Sequence, residues 1–545
     1  MRIWACLEMR ALGPLGLPSR AGEPLAGRTV LERAALRLAR VPGLAGVAVL
    51  VEPGRAEAAR QWLGSAPARV LEALGPDDPH REALRRARKW ARDSWRGGLA
   101  QAMDLDSYNH WASLLAAARE LKADAVLTAL PEGALVDPAI MEGLIRHAAP
   151  EGIPVLATAM CQAPAGFAGL LALAAWLEPA AKAGLVYGRT LAWSPERASF
   201  DPGHRGENYL APVAVRRCEF RAAADSARSA ELLAELLRRA PGPDGLGPSA
   251  EEAAAMVRAD PALYAGRLPR IVDVELTTAG RVDFADGPSA RELPARHMDR
   301  ELFGKLLADL AAYDDVLLTV GGAGDPLAHP EVFDFLKLAR ERGIYGLHLE
   351  TAGPLLDEAA ARRLLDLDLD VISVRLGAAA AGTYRQLTGR DDFERTCANI
   401  ERLAELRRAS GREWPYVVVE AAKRVEVEPE LLDFFDRWTE KADWAVIRPA
   451  SDWAGRFPDR AAVHLNLAER LGCRRLMKEL VVLGDGTVPV CRLDYAPAEP
   501  AGDLRRQSLG ELWTSGRIAA LRAEQQARKF DGFPLCPRCR DWDGL

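Results

Sequence analysis

Of the chain's eight cysteines, four crowd its final stretch: Cys473, Cys491, Cys536 and Cys539, the last two spaced as Cys536-Pro537-Arg538-Cys539. Between the first two, Val481 to Val490 reads as a β-hairpin turning on Gly484-Asp485-Gly486, because glycine adopts the positive φ of a tight turn without steric cost. Such a hairpin brings Cys473 and Cys491 near each other, and the terminal C-x-x-C closes on them. Four thiolates are the ligand set of an iron–sulfur cluster. They also suit a structural zinc. A C-x-x-C on its own serves as a redox dithiol when a following helix lowers its thiol pKa, and unligated cysteines pack as small apolar residues.

The order of signals in this stretch is Cys473, hairpin, Cys491, Gly502-Asp503-Leu504, Ser508-Leu509-Gly510-Glu511-Leu512-Trp513, and Cys536-x-x-Cys539. It resembles the SPASM domain that follows many radical S-adenosylmethionine enzymes. The full domain carries more cysteines and two auxiliary clusters. With one set of four, the resemblance implies a single auxiliary 4Fe-4S cluster on Cys473, Cys491, Cys536 and Cys539.

The chain is long enough, at 545 residues, for about three domains. We divide it into an α/β domain over 1–240, a linker over 241–268, a second α/β domain over 269–450 and the cysteine tail over 465–545. A net charge of −6 with interspersed signs, and no basic stripe interleaved with aromatics, argues against a nucleic-acid partner. Met1 to Glu8 has no apolar core of signal-peptide length. The most apolar run, Gly166 to Leu177, is closed by Glu178-Pro179. It is too short to span a membrane and reads as a buried helix. Clustered rather than scattered cysteines fit a reducing cytoplasm.

Over the first 240 residues strands and helices alternate. Thr29 and Glu32 form a capping-box pattern opening a helix with Leu31, Ala34, Ala35 and Leu38 on its apolar side. Strands at 47–51, 125–130 and 153–158, with helices at 111–121 and 138–147, argue for a parallel sheet covered by helices. Leu17-Pro18-Ser19-Arg20 followed by Leu25 to Arg33 resembles the opening of sugar-activating nucleotidyltransferases of the cytidylyltransferase kind. That likeness implies Arg20 and Arg28 on a triphosphate and Glu132 on magnesium. The sequence departs from the family pattern at Gly16, Arg20 and Glu132, which implies a retained fold with a blunted site. Pro241 to Pro248 is the strongest break, since proline and glycine at that density continue neither periodic element.

From 269 to 450, six strand–helix units in series read as a partial barrel whose pocket lies at the strand C-terminal ends. Val274-Glu275-Leu276-Thr277, Gly322 to Pro330, Thr351-Ala352-Gly353-Pro354-Leu355-Leu356 and Asp370 to Ala378 resemble, in order, segments of the radical S-adenosylmethionine barrel. The resemblance implies S-adenosylmethionine as a cofactor and places remnants of its site at Gly322, Gly324 and Asp325. That family carries C-x-x-x-C-x-x-C after the first strand, holding a cluster with one open iron. Here the loop is Thr278 to Gly287, and no cysteine lies between Cys218 and Cys397. Asp283, Asp286 and His297 offer themselves as replacement ligands, but a loop with two aspartates is far more often a solvated turn.

The whole arrangement is an α/β chain: a nucleotidyltransferase-like sheet domain, a partial (β/α)6 barrel and a small iron–sulfur tail. It resembles the spiro-SPASM group of proteins. Three functions follow as expectations: a cluster-binding scaffold or electron-transfer protein, a working radical enzyme acting on a peptide, and a nucleotidyltransferase. A protein or peptide partner and a cytoplasmic setting are expected, with neither nucleic acid nor membrane.

Overall fold

The computed structural model describes residues 1–76, 81–91, 109–151, 155–157, 163–182, 209–216, 218, 220–284, 293–464, 466 and 469–543. The chain forms two compact units, Met1–Arg88 with Gln101–Tyr264, and Lys89–Ala100 with Ala265–Leu545.

The first unit is built on strands β1 (Ile3–Met9), β2 (Leu44–Val51), β3 (Ala68–Leu71), β4 (Ala125–Ala129), β5 (Val155–Ala157) and β6 (Leu170–Leu173), in the sheet order β3-β2-β1-β4-β6-β5. The first four run parallel, as the alternation of elements predicts. β6 runs antiparallel to both neighbours, so the sheet is mixed. The apolar run read as a buried helix is this strand β6 followed by helix Ala174–Lys182, a short continuous run being ambiguous between the two.

Helix α1 (Val30–Leu38) buries Leu31, Ala34, Ala35 and Leu38, the side the periodicity picks out. Its cap is half of the expected box. Thr29 Oγ1 accepts from the Glu32 amide at 3.0 Å, but the Glu32 carboxylate turns away to the Ser65 hydroxyl at 2.8 Å and to Arg28. Two buried arginines leave the same helix. Arg33 reaches the Leu25 carbonyl at 2.9 Å and the Gly245 carbonyl at 2.5 Å. Arg37 donates to the carbonyls of Val136 at 2.7 Å, Leu246 at 2.9 Å and Pro248 at 3.0 Å. The proline- and glycine-rich stretch is therefore held within the first unit, and helix α2 (Ala250–Ala259) follows it there with a full Ser249–Glu252 capping box.

The second unit contains a seven-stranded sheet. Its strands are β7 (Ile271–Glu275), β8 (Leu317–Gly321), β9 (Gly346–Thr351), β10 (Val371–Arg375), β11 (Tyr416–Lys423), β12 (Trp444–Pro449) and β13 (Glu479–Val482), in the order β12-β11-β10-β9-β8-β7-β13. Every pairing is parallel. Six of these are the expected barrel strands. The seventh, β13, belongs to the cysteine tail and pairs Glu479 to Val482 against Ile271 to Val274.

The expected hairpin is thus present as a turn but not as a ladder. Leu483 N donates to Thr487 O at 2.9 Å and Gly486 N to Leu483 O at 2.9 Å, with Gly486 at φ +95°. The two arms then part: β13 joins the barrel, and β14 (Thr487–Val488) pairs antiparallel with β15 (Gly502–Asp503). The tail is also tied to helix α3 (Arg300–Leu310), where Lys305 donates to the carbonyls of Leu504 and Gln507. Helix α4 (Leu509–Thr514) starts on a Ser508–Glu511 capping box, and its buried Trp513 donates to Ala265 O at 3.0 Å.

Candidate functional site

The four tail cysteines are half-buried and share one packing cluster with Leu476, Val490, Leu493, Leu521, Phe533 and Leu535. Short turns place them. Cys536 opens a 3-10 turn that delivers Cys539, whose amide donates to Cys536 O at 3.1 Å. Buried Gln525, from helix α5 (Gly516–Gln526), joins two of them: its Oε1 accepts from the Cys473 amide at 2.8 Å and its Nε2 donates to Cys536 Sγ at 3.3 Å. Burial pushes all four thiols up, Cys536 to about 11 and Cys539 to about 12. The negative charge of neighbouring thiolates adds to the rise at Cys491, Cys536 and Cys539, so the set lies in one electrostatic neighbourhood. Among the described residues no three His, Cys, Asp or Glu side chains are drawn together as ligands of a metal ion. Four half-buried thiols packed against one apolar cluster are a donor set that suits an iron–sulfur cluster, which is bulkier than one ion. Gln525 is the member of this site that sequence reasoning missed; a lone glutamine on a helix carries no signal.

A cavity of about 230 Å³ opens among the ends of all seven barrel strands and the tail segment around Arg492. Gly322 lines it; Gly324 and Asp325 do not. Gly324 packs so tightly that a Cβ there would sit 2.2 Å from Thr277 O. Asp325 is buried and bonded at both oxygens, accepting from Leu327 N at 3.0 Å, Thr351 Oγ1 at 2.7 Å and Ala352 N at 3.1 Å. It braces the turn after β8.

The suggested replacement ligands do not converge. Asp283 is ion-paired to Arg281, and His297 lies beside Thr277 at 3.4 Å with its ring 5.5 Å from that of His329. Asp286 lies outside the described residues. What does converge is Glu275, at the end of β7. It is paired with buried Arg296 at 2.6 Å and accepts from Gly484 N at 3.2 Å and Ala323 N at 3.4 Å.

The cavity wall is rich in arginine, and most of that charge is matched. Arg281 pairs with Asp283, Arg424 with Glu426 at 3.3 Å, Arg448 with Glu420 at 3.0 Å and Arg475 with Glu479 at 3.0 Å. Arg375 and Arg492 line the same space with no ion pair among the described residues. Arg375 lies over the Phe284 ring at 5.0 Å, and its Nε is buried without an acceptor among the described residues.

In the first unit, Arg20 is paired with Glu23 at 2.7 Å and Arg28 with Glu32 at 3.1 Å. Glu132 is buried; its Oε1 accepts from the Ser19 hydroxyl and its Oε2 has no partner among the described residues. Burial raises its pKa from 4.5 to about 7. The native state therefore keeps a proton that the unfolded chain releases. Stability of this unit falls as pH climbs from about 4.5 to about 7 and is level above that. Glu132→Gln is expected to remove the slope and to gain about 2–3 kcal/mol over the parent near pH 8. Thermal unfolding across pH checks it, and parallel curves for the two proteins would refute it.

Residues 283–411 match the Radical SAM superfamily, and residues 473–540 match the SPASM iron–sulfur cluster-binding domain. A radical-SAM-like segment is thus followed by a match to an iron–sulfur cluster-binding domain. An uncharacterized protein of Treponema pallidum is 24% identical over 45% of this chain and 70% of its own length. The tungsten-containing aldehyde ferredoxin oxidoreductase cofactor-modifying protein of Pyrococcus furiosus is 27% identical over 23% of this chain and 35% of its own. Similar solved structures include Streptococcus suis SuiB bound to precursor peptide SuiA, at 12% identity, covering 51% of this chain and 72% of that one with a TM-score of 0.42. A cytidylyltransferase from Leptospira borgpetersenii shares 13% identity, covering 48% and 95%, with a TM-score of 0.34. No helix among the described residues is long and apolar enough to cross a membrane.

Proposed function

We propose that the tail holds one 4Fe-4S cluster on Cys473, Cys491, Cys536 and Cys539, and that the barrel works without a radical-initiating cluster. The chain is then an electron-transfer or scaffold component. The observation that carries this reading is the loop after β7. Where the radical S-adenosylmethionine pattern has three cysteines, Arg281 pairs with Asp283 and donates to Ala323 O at 3.2 Å. The matched superfamily segment begins only at residue 283, beyond β7.

When bound, such a cluster supplies one-electron transfer, with every iron capped by protein thiolate. Gln525 orders its pocket by holding the Cys473 amide and the Cys536 sulfur. A hydrogen bond to a ligand sulfur tunes the potential of the site. With all four ligands from the protein, the cluster would leave no iron open to a substrate, and the partner we take it to serve is a protein or peptide.

Metal analysis after anaerobic purification tests this reading. The expected result is a brown protein with about four irons per chain. Dithionite-reduced protein with S-adenosylmethionine is expected to yield no 5′-deoxyadenosine above a protein-free blank. One zinc per chain would replace the cluster by a structural metal. About eight irons together with 5′-deoxyadenosine would establish a working radical enzyme instead.

A further inference from the structure

Two arginines of the barrel cavity have no ion pair among the described residues. Of the acids on its wall, Glu275 is paired with Arg296 and Asp494 with Arg456 at 3.3 Å, Asp541 accepts from the Ser451 hydroxyl at 2.6 Å, and Asp273 and Glu350 have neighbours of their own. Arg375 and Arg492 line the space without an ion pair among the described residues. A third guanidinium, Arg281, lies close enough that Arg375 adds to the burial that disfavours its charge. Cations that share a partly desolvated cavity repel, and an anion placed among them relieves the repulsion in a medium where charge attraction is strong. Phe284 beneath Arg375 holds that guanidinium in place before anything binds.

We infer that the cavity binds a small phosphomonoester, its phosphate gripped by Arg375 and Arg492. Two arginines without an ion pair suit a dianion. A phosphate monoester carries about −1.5 to −2 near neutral pH and presents three acceptor oxygens, whereas a carboxylate brings a single charge. Guanidinium forks engage phosphate through paired hydrogen bonds. The cavity, at about 230 Å³, falls below the roughly 300–1,000 Å³ of sites for larger ligands. That favours a compact phosphorylated metabolite over a whole nucleotide cofactor. Trp453 and Tyr495, on the tail side, offer the surface against which its carbon skeleton packs. The inference rests on the reading that this barrel lacks the radical-initiating cluster.

Isothermal titration of the full chain with glycerol 3-phosphate, inorganic phosphate and S-adenosylmethionine tests it. Glycerol 3-phosphate is expected to bind saturably and more tightly than inorganic phosphate. The affinity should fall at least about tenfold in Arg375→Gln and, separately, in Arg492→Gln, with Arg375→Lys intermediate because it keeps the charge but not the fork. Should Arg375→Gln fail to fold, Arg492→Gln carries the test. No saturable binding of either phosphate, equal affinity in folded variants, or binding of S-adenosylmethionine alone would overturn the inference. Iron content measured on the same sample keeps the two readings apart. About four irons without phosphate binding sinks only the ligand, whereas about eight irons sinks the reading it rests on.

Discussion

Replacing Cys536 and Cys539 together by serine is expected to strip iron from the tail and, with it, to unprotect the first strand of the barrel. The tail's core is thin: Leu476, Val490, Leu493, Leu521, Phe533 and Leu535 form most of it, with the four cysteines at its edge. Ligation supplies such small regions with the folding free energy that burial does not. Strand β13 lies between Cys473 and Cys491 and is the terminal strand of the sheet, hydrogen-bonded to β7. When the tail loosens, β13 leaves and β7 becomes a bare edge with unpaired backbone groups. Hydrogen exchange is the measurement. Amides at 479–482 and 271–275 should lose protection together, while those of β9 and β10, paired on both sides, keep theirs. The first unit, with its own core, is the internal control. A variant that holds no iron yet protects β7 like the parent would show that the tail is not held by its ligands.

The second large effect is expected at Glu275. Removing it as Glu275→Ala leaves Arg296 charged, buried and unpaired, and deprives the Gly484 and Ala323 amides of their acceptor. Breaking a buried pair from one side costs about 3–5 kcal/mol. For a unit of this size that corresponds to roughly 6–12 °C in its Tm. Replacing both partners, Glu275→Met with Arg296→Met, should recover most of the loss, because two matched apolar side chains leave no stranded charge. Calorimetry of the three variants decides. A single variant within about 1 kcal/mol of the parent would mean that water or a rearranged neighbour takes over the bond. The position matters for function too: Glu275 ties the first strand to the glycine-rich turn and to the tail, and it lines the cavity proposed to take the phosphate.

Much of this was legible from residue order. The apolar periods of Leu31 to Leu38 and Phe393 to Leu403 mark helices that exist, and the runs at Val316 to Val320 and Val371 to Val374 mark strands that exist, because each such element is specified by side chains a few residues apart. The four tail cysteines, and the lack of any in the loop that follows the first barrel strand, were equally plain. Site geometry was not. Asp325 looked like a cofactor-facing carboxylate, yet Thr351 and the Ala352 amide, which occupy one of its oxygens, lie a whole strand–helix unit away.

The partners of β13 were the least visible feature. Glu479-Leu480-Val481-Val482 alternates in burial, with Leu480 and Val482 inward, and that pattern suits a hairpin and a barrel edge alike. A sequence specifies which residues want burial, but not which of two available edges will bury them. Tertiary structure decided that by offering β7, a parallel partner with an open side. Pairing there covers the barrel's edge and carries the turn at Gly484 onto Glu275, which a hairpin standing apart from the sheet could not do. The chemistry of the tail was thus written in four thiols, while its attachment to the barrel depended on contacts between segments some 200 residues apart, whose free energy exists only once both have folded.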